Sequence, residues 1–205
     1  MTRAAPRRRG RPRAYDPEVA LRQARATFWR TGYAGTSMDD LAAAMGMNRP
    51  SIYAAFGDKR ALYRRAAADY AQSSRAWLSA ALARPRPLRP ALGAVFRYAR
   101  DFYLAGEFGP RGCFLLGTAL TEAAGDPEVR IIVEETMAAF SATFAERFER
   151  AERDGELSPH TPDALAAIAT ATLNTLAVRA RSGASRQELD ALIDAAIAVI
   201  CARAD

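Results

Sequence analysis

The stretch Thr36–Lys59, TSMDDLAAAMGMNRPSIYAAFGDK, decides the reading of this chain. Ser37 and Asp40 have the spacing of a capping box, in which a hydroxyl takes a free backbone N–H and a carboxylate reaches back to the cap. The helix they open is short. Leu41, Ala44 and Met45 give it one apolar stripe, and Gly46 ends it by tolerating the left-handed backbone of a tight turn. Asn48 caps a second helix with Arg49 and Pro50 in its first turn, where proline removes no hydrogen bond. Ile52 and Phe56 share the face that packs back on Leu41 and Met45, which leaves Arg49, Ser51, Tyr53 and Ala54 facing outward. Helix, glycine turn and a second helix with a polar first turn make a helix-turn-helix. Its second helix enters the DNA major groove and meets base edges with its N-terminal residues. Asp58 and Lys59 open the next helix, whose positive end and ammonium group can hold a phosphate.

Working outward, the same residues resemble the DNA-binding domain of TetR-family transcriptional regulators. The matching elements are Gly32-Tyr33, Thr36-Ser37, Leu41-Ala42, the run Gly46-Met47-Asn48-Arg49-Pro50-Ser51-Ile52-Tyr53, Ala55-Phe56 and Lys59-Arg60-Ala61-Leu62. The likeness spans roughly residues 15 to 65 at fixed offsets. Pro50 stands where the family commonly has Gly or Ala, and Ala54 where His or Tyr often touches DNA. Carried over position by position, the resemblance implies a reading turn of Asn48, Arg49, Pro50 and Ser51, with Arg49 and Ser51 meeting bases. It places Thr36, Ser37, Tyr53 and Lys59 at phosphates. It also implies a homodimer paired through the last two helices, a palindromic double-stranded DNA operator, and a small-molecule effector held in a larger helical domain. Repression is the commoner behaviour in that family.

Charge is distributed as DNA binding requires. Residues 1–60 hold twelve Arg or Lys against five Asp or Glu, whereas the remainder holds seventeen against eighteen, so the net +6 of the chain sits in the first segment. Such asymmetry is the footprint of a polyanion partner. Residues 1–14 are too polar and proline-broken to fold and read as a disordered arm. Gly10-Arg11-Pro12 resembles a minor-groove tripeptide, and a solvated tail is the plainer reading of the same charges. No apolar run approaches the ~20 residues of a membrane span, and the Arg-rich start lacks the apolar segment of a signal peptide, so the chain is expected in the cytoplasm. Two cysteines and one histidine are too few for a zinc cluster or a disulfide framework, and no metal or other cofactor is expected.

The remainder reads as all-α. The expected organisation is an arm (1–14), a helix-turn-helix domain (15–60) and a helical regulatory and dimerisation domain (61–205). Asp16 and Pro17 start the first helix, which carries Val19, Ala20, Ala24, Thr27 and Phe28 on one face. A long helix from Asp58 to about Ala83 links the two domains. Pro85, Pro87 and Pro90 predict a loop over 84–90. Helices follow to about Gly106, from Cys113 to Ala124, from Pro127 to Gly155, from Pro162 to about Arg181 and from Ser185 to about Arg203. The last two carry wide stripes rich in small residues, which suits close helix packing, and Cys201 falls at the expected dimer seam.

Trp77, Phe96, Phe102, Tyr103, Phe108, Met137, Phe140 and Phe144 are candidates to line a ligand cavity; aromatics at helical spacing are equally the mark of a solid core. Arg97, Arg100 or Glu122 would supply a polar anchor. Cys113, in Arg111-Gly112-Cys113-Phe114-Leu115-Leu116, stands at a helix start beside Arg111, a setting that favours a thiolate. The stretch looks like one in a TetR subgroup that includes redox- and electrophile-responsive repressors, and a buried core cysteine is the alternative. An enzyme is disfavoured. His160 sits in a proline-flanked loop with no nucleophile or metal ligand at a telling spacing, and the acid pairs Asp39-Asp40 and Glu134-Glu135 suit a helix start and a solvated face. A non-sensing architectural DNA-binding protein stays open beside the regulator.

Overall fold

The computed structural model describes residues 15–107, 109–157 and 160–202. All regular structure among them is helical. The order is α1 (Pro17–Thr31), α2 (Met38–Met45), α3 (Arg49–Phe56), α4 (Lys59–Ala83), α5 (Leu88–Leu104), a π-turn (Leu115–Ala119) running into α6 (Leu120–Glu122), α7 (Pro127–Arg153), α8 (Pro162–Arg181) and α9 (Arg186–Ile200). The basic arm with its Gly10-Arg11-Pro12, and the cavity candidate Phe108, lie outside the described residues.

Short polar side chains start most of these helices by taking N–H groups that have no acceptor within the helix. Asp16 accepts from Glu18 at 2.8 Å, Asn48 from Ser51 at 2.8 Å and Asp58 from Ala61 at 2.8 Å. Ser37 with Asp40 and Ser185 with Glu188 form complete capping boxes. α5 has no side-chain cap. It starts at Leu88, inside the stretch expected to be loop, because Pro90 falls in the first turn, where a missing N–H costs nothing. The Leu88 N–H is taken by the Glu156 carboxylate instead.

The segment expected as one helix from Cys113 to Ala124 begins with a wide turn, in which the Leu120 N–H reaches back to Leu115 O. Gly112 precedes it at φ +64°, and a Cβ there would stand 2.8 Å from Ala177 O, so only glycine lets the chain pass this close to α8. The turn presses Thr118 against α4, where Tyr63 donates its hydroxyl to Thr118 Oγ1 at 2.9 Å.

α1 to α3 close around Phe28, Leu41, Met45, Ile52 and Phe56. The expected boundary at residue 60 falls in the first turn of α4, and the apolar core runs straight across it. Phe28 meets Tyr63 edge-on at 5.0 Å between centroids. Trp29 meets Tyr70 at 5.2 Å and Phe114 at 5.6 Å, and its Nε1 donates to Arg111 O at 2.8 Å. A polar tie reinforces the join. The Asp126 carboxylate, shut off from solvent, caps α7 and accepts from Arg60 Nη1 and Arg64 Nε of α4, both at 2.9 Å.

α8 and α9 bury Leu165, Ala169, Leu173 and Leu176 against Leu189, Ile193, Ile197 and Ile200 and their neighbours. Ile168, expected in the buried stripe of α8, lies on its open face instead. That face carries Ala164, Ala167, Ile168, Ala171, Thr175 and Val178, and the open face of α9 carries Ala191, Ala195, Ala198 and Val199. Cys201, expected at the dimer seam, is half-buried at the end of α9 beside the start of α5, where Arg89 Nη2 reaches its carbonyl at 3.5 Å.

Candidate nucleic-acid interface and ligand cavity

α3 stands out from the three-helix unit because Ile52 and Phe56 anchor one side and the Asn48 cap fixes its start. Arg49, Pro50 and Tyr53 are exposed and Ser51 is half-exposed. Arg49 is paired within the unit. Its guanidinium grips Asp39 of α2 with two prongs, Nε to Oδ1 at 2.7 Å and Nη2 to Oδ2. The hydrogen bond from Arg49 holds the Asp39 carboxyl below the usual carboxylate range. Nothing in the helical spacing singled out Asp39 as this partner; the pairing depends on how α2 crosses α3.

Two residues expected at phosphates, Ser37 and Lys59, lie at helix starts. Ser37 is exposed at the start of α2, with its hydroxyl shared between the Asp40 backbone and carboxylate. Lys59 opens α4 with Nζ 4.4 Å from the Tyr33 ring centroid, a cation–π contact that holds the ammonium at the helix start. Thr36 departs from expectation. It is buried, and its hydroxyl donates to Gly32 O at 2.6 Å and shares a hydrogen bond with Thr31 at 2.7 Å, so it locks the α1–α2 loop instead of facing a phosphate.

Within the helical body lies a cavity of about 190 Å³. Trp77, Phe102, Tyr103, Cys113, Met137 and Phe140 line it. Phe96 and Phe144 do not: both are fully buried and pack on each other at 6.2 Å, so they belong to the core beneath it. The proposed polar anchors are also engaged elsewhere. Arg97 pairs with Asp194, Arg100 with Asp101 and Asp190, and Glu122 faces Arg60. The cation that does reach the cavity is Arg25 of α1, which the periodicity gave no reason to choose. Tyr70, Ser73 and Ser74 of α4 complete its polar side. A wider cleft of about 580 Å³ beside α1 is lined by Gln23, Arg30, Glu107, Arg111 and Arg181 among others.

Cys113 is buried at the edge of this cavity. It accepts from the Tyr70 hydroxyl at 3.4 Å and from the N–H groups of Leu115 and Leu116, yet burial outweighs these bonds and pushes its thiol up. The expected thiolate setting is therefore corrected. The helix start is present, but Arg111 turns its guanidinium onto Phe102 and Trp29, with Cζ 4.1 and 4.9 Å from the two ring centroids.

A fold of this order is matched by known proteins along nearly the whole chain. The family model for bacterial regulatory proteins of the tetR family matches residues 20–66, and that for the tetracyclin repressor-like C-terminal domain matches residues 89–198. The chain belongs to the TetR family. It is thus a helix-turn-helix DNA-binding transcriptional regulator and not an enzyme. The transcriptional repressor ComR of Escherichia coli is 27% identical over 92% of this chain and 90% of its own. A second E. coli repressor, BdcR, is 28% identical over 92% of this chain and 91% of its own. Among solved structures, a cysteine mutant of the TetR-family regulator CifR, complexed with 26-base-pair double-strand operator DNA, is 32% identical. It covers 93% of this chain and 100% of its own, at a TM-score of 0.81.

Proposed function

We propose that this TetR-family chain is a homodimeric repressor that sits on a palindromic operator and is released by a small apolar or electrophilic effector. The observation that carries the reading is the course of α4. Lys59 stands in its first turn, three residues after α3 ends, and Tyr70, Ser73, Ser74 and Trp77 about three to five turns later line the cavity. Anything that fills the cavity pushes on the same rigid element that sets the attitude of the DNA-reading unit. In this reading Arg49 and Ser51 meet base edges, Tyr53, Ser37 and Lys59 meet phosphates, and Asn48 and Pro50 fix the start of the reading helix.

The open faces of α8 and α9 supply the dimer. Their exposed Ala, Ile, Val and Thr residues form an apolar surface that a second copy can cover, and an isologous pair sets two reading helices about one DNA turn apart. ComR and BdcR are repressors and CifR is seen on operator DNA, which supports the same assignment here. Among the described residues no helix is long and apolar enough to cross a membrane, in keeping with action in the cytoplasm. The test is a gel shift on the DNA upstream of the gene with excess random duplex. A retained complex containing two protomers supports the reading. Equal loss to any competitor favours an architectural DNA-binding protein.

A further inference from the structure

Among the described residues the cavity has one charge on its wall and that charge is positive. Opposite its polar side stand the aromatic and apolar Trp77, Phe102, Met137 and Phe140, and none of the described carboxylates lines it. Arg25 enters from α1 with its side chain 20% exposed, and its one hydrogen bond among the described residues runs from Nη1 to Asp69 Oδ2 at 2.6 Å. Asp69 lies outside the lining, so it holds the guanidinium from the far side. A guanidinium carries five N–H donors in a planar fork, and one is engaged here. Tyr103 also lines the cavity, nearly buried, and its hydroxyl makes no hydrogen bond among the described residues. Unused donors of Arg25 and Tyr103 thus border a largely aromatic-walled space that holds roughly one substituted ring.

We infer that the cavity takes a small aromatic carboxylate, with its ring among Trp77, Phe102 and Phe140 and its carboxylate on Arg25. The inference rests on the cavity being the effector site and narrows the effector to a mostly apolar molecule that carries one anionic group. It also gives that effector a direct route to the DNA-binding unit. The Arg25–Asp69 pair ties α1 to α4, and a ligand carboxylate that takes over the guanidinium competes with Asp69 for it.

The experiment compares cinnamate with cinnamyl alcohol, which share a ring and length and differ in charge, by calorimetry on the full-length protein. Quenching of tryptophan fluorescence serves as a second readout. Cinnamate should bind wild type about tenfold tighter or more, the advantage of a charge-assisted pair over a neutral contact. Arg25→Gln should erase that advantage and leave the alcohol unchanged. Asp69→Asn, which removes the competing carboxylate, should tighten cinnamate and not the alcohol; a merely structural role for either residue would move both ligands together. Alcohol binding at least as tight as acid binding in wild type overturns the anionic class and leaves the effector cavity standing. Failure of both probes to bind folded protein overturns the cavity reading as well.

Discussion

Asp126→Asn tests the join between the DNA-reading unit and the helical body. The wild-type carboxylate is inaccessible to solvent and takes four donors: Arg60 Nη1 and Arg64 Nε at 2.9 Å, and the Glu128 and Val129 N–H groups at 3.1 and 3.3 Å. Asparagine keeps the cap through its amide oxygen and loses the charge. Breaking a fully buried ion pair costs about 3–5 kcal/mol. The two arginines are 39% and 31% exposed and turn readily to water, which reduces the expected loss to about 1–3 kcal/mol. The pH dependence follows from the hydrogen bonds from the arginines, which hold the Asp126 carboxyl far below its ordinary value. A carboxyl depressed in the folded state contributes its full stability above the unfolded pKa near 3.9 and loses it as pH falls toward the folded one. At pH 3 the unfolded group is largely protonated while the folded one is still ionised, so the gap between wild type and mutant should narrow by about 1.3 kcal/mol from its value at pH 7. Urea denaturation at both pH values measures this. A gap below about 0.5 kcal/mol at pH 7, or one that widens on acidification, would refute the assignment.

Further outcomes follow from the same geometry. Arg49→Ala should cost about ten- to a hundredfold on an operator and far less on random duplex, whereas Lys59→Ala should weaken both alike and reduce the salt slope by about one contact; anisotropy titrations at several salt concentrations separate the two. Gly112→Ala should destabilise by more than about 1 kcal/mol, because it combines a positive φ with a Cβ 2.8 Å from Ala177 O, and a thermal melt reads the shift. Val178→Glu, on the exposed face of α8, should turn a dimer into a folded monomer by analytical ultracentrifugation and abolish tight operator binding.

Local chemistry made much of the fold legible. The Ser37–Asp40 box, the Asn48 and Asp58 caps and the left-handed Gly46 are effects of neighbouring residues, and the structure places each as the spacing required. The boundary at Pro90 was misplaced because a proline reads as a breaker until one knows that it falls inside a first turn. The wide turn at 115–119 has no periodic signature; it arises where Gly112 crosses α8 and Thr118 meets Tyr63. Helical spacing marked the inward aromatics, yet it could not tell Phe102 and Phe140 on a cavity wall from Phe96 and Phe144 in the packing beneath, since that depends on how distant helices cross. Arg25, Asp39 and Asp126 escaped for the same reason. Their roles lie in pairings 10 to 66 residues apart, and sequence periodicity carries no record of such pairings.

The central claim is that two copies of α3 read a two-fold symmetric DNA site. Selection of bound duplexes from a random-sequence pool, in excess non-specific DNA, measures it most directly. The account predicts enrichment of an inverted repeat with half-sites about one helical turn apart, lost in Arg49→Ala. Recovery of duplexes with no shared sequence, bound as well by Arg49→Ala as by wild type, would contradict it.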